Sequence, residues 1–161
     1  MMQHAQTAPS MRRKQSGVGL IEVLVAVLVL SIGFLGIAAL QARSLSMNNS
    51  AMAHSVATMA SYSILDAMRA DLVNAQNHAY DGTVTADACP TTTGTLADTQ
   101  LGQWCKDLAT GLGASASTTG KIDCKGSLGD CTITVTYDDN KSRATAADTT
   151  TMQTVTTQAM L

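Results

Sequence analysis

The chain is short of the residues that announce most functions. Aromatic side chains make up 3% of its 161 residues, one Trp, three Tyr and one Phe, so few rings are available to build a core. Glutamate is nearly missing: Glu22 is the only one among 12 acidic residues, the rest being aspartate. Only two prolines occur, and none between Pro9 and Pro90, which leaves a long stretch without a helix breaker. No G-x-S-x-G, P-loop or H-E-x-x-H pattern and no clustered pair of carboxylates suggests catalysis, so an enzyme is not expected. Asp138-Asp139 at a strand end reads as a turn rather than a calcium site. The four cysteines form no C-x-x-C pair and His54 and His78 lie far upstream of them, which disfavours zinc; no metal or cofactor is expected. Net charge is -2, and without Arg12, Arg13 and Lys14 seven basic residues face 12 acidic ones, a balance of -5. That sign argues against a nucleic-acid partner.

What is present is concentrated at the N-terminus. From Val18 to Leu40 the chain is aliphatic, aromatic or alanine except for Glu22, Ser31 and the glycines Gly19, Gly33 and Gly36. As a helix this run would reach roughly 34 Å, enough to cross a bilayer. Arg12, Arg13 and Lys14 precede it and only Arg43 closely follows, which predicts a cytoplasmic N-terminus and an exported remainder. All four cysteines lie in that remainder, and an oxidising compartment predicts two disulfides among three connectivities.

Three readings of this run compete. A secretory signal peptide would use Arg12 to Lys14 as its charged region and small residues around a cut after Ala38. A plain membrane anchor must carry Glu22 inside a spanning helix, at about 2.5 to 3.5 kcal/mol on insertion scales, less near the membrane edge. The third reading accounts for more residues together: a basic stretch ends in Gly17, an aliphatic run follows, and the carboxylate is the fifth residue after that glycine.

The stretch KQSG/VGLIEVLVAVLVLSIGFLGIAALQ resembles the N-terminus of a type IV prepilin, and over its length it is closer to minor pilins of the PilV type, related to the minor pseudopilins of type II secretion. The resemblance covers about 25 residues, the rest being similar in layout. It implies cleavage at Gly17-Val18 by prepilin peptidase and N-methylation of Val18, where the family usually has phenylalanine. It also implies a docking role for Glu22: the new α-amino group of Val18 and the Glu22 carboxylate of a neighbouring subunit would neutralise each other in a helical bundle. A pairing within one helix, four residues apart, stays open. Met11 is an alternative start that would shorten the leader, and Ala39 replaces a proline common in major pilins, which favours a minor subunit. The implied function is initiation of type IV pilus assembly in a priming or tip complex. Its implied partners are prepilin peptidase, other minor pilins, the major pilin, the inner-membrane assembly platform and, as an open candidate, a tip adhesin. The expected location is the inner membrane, then the pilus tip. A type II secretion minor pseudopilin and a membrane-anchored periplasmic binding module are the alternatives.

The layout expected is a leader at 1–17, a membrane or filament-core helix at 18–40, its amphipathic continuation at 41–77 and a head at 78–161. Met52, Val56, Met59, Tyr62, Leu65, Met68 and Leu72 recur every three or four residues, which predicts one helix from Val18 to Asn77 with this stripe covered by the head. Leu101 to Thr110 reads as a short helix. CTITVTYDD alternates as a half-buried strand, KIDC joins it through a hairpin, and MQTVTTQAM offers a last strand. The fold class is therefore α+β, a long helix packed by a small antiparallel sheet. Cys124 and Cys131 flank the hairpin loop and are placed to face each other, which leaves Cys89 for Cys105.

Overall fold

The computed structural model describes residues 17, 19–91, 94–125, 129–139 and 152–161. Its elements are α1 (Leu20–Ala70), α2 (Leu72–Gln76), β1 (Gly82–Thr85), α3 (Leu96–Leu112), β2 (Thr119–Lys125), β3 (Asp130–Asp138) and β4 (Met152–Met160). The strands form one antiparallel sheet in the order β1-β2-β3-β4. A long N-terminal helix with a four-stranded antiparallel sheet is the α+β, pilin-like architecture.

The chain divides into two units, Met1–Ala39 and Leu40–Leu161, with the division inside α1. In the first unit, Leu20 to Ala39 is helical and exposed throughout. Leu20, Phe34 and Leu35 are each at least 67% accessible. Aliphatic residues without a breaker account for the helix, and Ser31 keeps its hydroxyl satisfied by donating to the Val27 carbonyl at 2.7 Å. Helix α1 is long and apolar enough here to cross a membrane.

In the second unit, one face of α1 enters the core through Ala57, Ala60, Ser61, Ile64, Leu65 and Met68. This corrects the expected stripe: Leu65 and Met68 are buried, but Met52, Met59, Tyr62 and Leu72 are exposed. The large side chains spread the periodicity over two faces at once, whereas half of the packed face, Ala57, Ala60 and Ser61, is small. Small residues bring α3 close. A Cβ on Gly111 would come within 2.6 Å of Val56 Cγ1, and the Trp104 indole N–H donates to the Ala60 carbonyl at 3.0 Å. The sheet completes the core through Val84, Ile122, Ile133, Val135, Tyr137 and Val155. Strand β3 alternates as expected, with Cys131, Ile133, Val135 and Tyr137 buried and the threonines between them partly exposed.

Two further expectations need correction, and one strand is additional. The predicted single helix to Asn77 is interrupted at Asp71, whose backbone leaves helical geometry and whose carboxylate accepts from Asn74 Nδ2 (2.8 Å) and the Tyr80 hydroxyl (3.2 Å). These side-chain bonds offer the aspartate an alternative to continuing the helix. Helix α3 is longer than Leu101 to Thr110, because Thr95 and Asp98 form a capping box that starts it at Leu96. Strand β1 was not anticipated; four residues are too few to show alternation.

Candidate processing and assembly site

Gly17 is exposed and lies outside the helix, and a Cβ built on it would meet nothing within 4 Å. Val18, the other half of the candidate scissile bond and the candidate methylation site, lies outside the described residues. Regular structure starts immediately afterwards: the Gly19 carbonyl accepts the first bonds of α1, from the Glu22 N–H at 2.9 Å and the Val23 N–H at 3.4 Å.

Glu22 therefore belongs to the first turn of α1. Free N–H groups give that end of a helix partial positive charge, so a carboxylate there is favourably placed even without a partner. Its side chain is exposed, ahead of an uninterrupted exposed apolar surface. A carboxylate so placed can meet a cation brought by another molecule once the apolar surfaces associate.

The other candidate residues occupy the second unit. Cys124 and Cys131 are register partners on β2 and β3 and are joined by a disulfide, with Cα atoms 4.0 Å apart. Cys89 is joined to Cys105 on α3. Each bridge fastens a loop or strand to the core, and no cysteine is left free. Among the described residues no group of three or more His, Cys, Asp or Glu side chains is placed to hold a metal.

A polar cluster that sequence reasoning missed ties the end of the helices to the sheet. Tyr80 is fully buried and donates to Asp71, while Asp81 accepts from the Cys124 backbone N–H at 3.2 Å and meets His78 Nδ1 at 2.7 Å. Burial first, then the hydrogen bond to Asp71 and its charge, push the Tyr80 phenol up to about 12. His78 adopts a left-handed backbone (φ 63) to make this turn. The signal for the cluster was an aspartate in an otherwise helical pattern, followed nine residues later by a tyrosine. These groups satisfy one another and hold the fold. Asp139, at the end of β3, accepts from Ser50 on α1 at 2.6 Å.

Residues 12–38 match the family model described as the prokaryotic N-terminal methylation motif. The match takes in Gly17, Val18 and Glu22 and the apolar start of α1, and it supports a type IV pilin or pseudopilin processed by prepilin peptidase. A motif of this type implies a structural protein assembled at a membrane with other pilins. No curated protein and no solved structure matches the chain.

Proposed function

We propose that the protein is a minor pilin, of the PilV type, that helps initiate type IV pilus assembly. The observation that carries this reading is the methylation motif placed across an exposed, non-helical Gly17 and the first turn of an exposed apolar helix bearing Glu22. Prepilin peptidase cuts Gly17-Val18 at the cytoplasmic face, and Val18 becomes a methylated N-terminus. The lower part of α1 anchors the subunit in the inner membrane with the second unit in the periplasm. Assembly then transfers that apolar surface from lipid to a bundle of neighbouring helices. In that bundle the new α-amino group and Glu22 of adjacent subunits neutralise each other, since either left buried alone would cost about 3 to 5 kcal/mol. A small number of such subunits, with other minor pilins, forms the priming or tip complex from which major pilin is extracted through the assembly platform.

Two measurements test the reading. Mass spectrometry of the mature protein is expected to find Val18 at the N-terminus, and Gly17→Leu is expected to leave a membrane-bound precursor; a first residue at Ala39 would restore the signal-peptide reading. Glu22→Ala is expected to insert and be cleaved normally yet to yield few or no surface pili. Copurification of secretion-system rather than pilus components would move the protein to the pseudopilins.

A further inference from the structure

We draw no further inference here: the strongest candidate, the exposed stripe of Leu45, Met52, Met59 and Tyr62 along one face of α1 in the second unit, carries nothing further because nothing in the structure shows what covers it.

Discussion

Among the described glycines, Gly120 on β2 is the one where an added Cβ would meet the closest atoms, and Gly120→Ala tests how rigidly the second unit is packed. A Cβ there would lie 2.4 Å from Trp104 Cη2 and 2.7 Å from both Trp104 Cζ3 and Leu108 Cδ1. The indole cannot simply retreat, because its N–H is held by the Ala60 carbonyl on the far side at 3.0 Å. Moving β2 instead would disturb its pairing on both sides, with Val84 and with Val135. Overpacking of this kind costs about 1 to 3 kcal/mol. The ordinary gain from stiffening the unfolded chain, about 0.4 to 1 kcal/mol, offsets only part of it. A net loss of about 1.3 kcal/mol corresponds to a fall in Tm of roughly 5 °C for a unit of this size. Because Trp104 is the only tryptophan, its fluorescence during denaturant unfolding of the full chain in micelles reports on the very contact disturbed. Gly33→Ala, where a Cβ meets nothing within 4 Å, adds the same methyl without a clash and should not lower the midpoint of that transition. A Gly120→Ala midpoint equal to that of the unsubstituted protein would refute the packing argument.

Two other outcomes follow from the polar cluster and the disulfides. Tyr80 ionises near 10.0 when unfolded and at about 12 when folded, so its contribution is complete below pH 10 and is lost as pH rises from 10 to 12. At about 1.36 kcal/mol for each pH unit this amounts to roughly 2 to 3 kcal/mol, with buried Tyr137 acting in the same direction. Denaturation midpoints measured from pH 9 to 12 should fall, and Tyr80→Phe should make the fall shallower; an unchanged slope would argue against a buried Tyr80. Replacing Cys89 and Cys105 together by serine opens a loop with a sequence separation of 16 and is expected to cost about 3 kcal/mol in a denaturant titration.

Much of the fold was legible because its strands and apolar run carry strong local patterns. In β3, four inward residues alternate with threonines, and the pattern survives into the structure because one face of the sheet is core and the other is solvent. The helices were harder. The packed face of α1 is Ala57, Ala60, Ser61, Ile64, Leu65 and Met68, and three of those six are too small or polar to register as a hydrophobic stripe. Their smallness is what admits the Trp104 ring against the helix backbone, so the signal was faint for the same reason that the packing is close. Asp71 shows the converse: its effect on helix geometry depends on Tyr80, and that pairing exists only once the chain has turned back.

The candidate site was legible for a different reason. The proposed processing at Gly17 and docking at Glu22 depend on a linear stretch presented to other proteins, so neither residue needs a tertiary contact to hold it in place. Their surroundings in the structure are mainly local: an exposed glycine before a helix, and a first-turn glutamate whose backbone N–H donates to the Gly19 carbonyl. Strand β4 lies between these cases. Its sequence is readable as a strand, but its place beside β3 depends on the order β1-β2-β3-β4. That order arises from pairing between segments distant in sequence, and hydrophobic alternation reports only which face of a strand is covered.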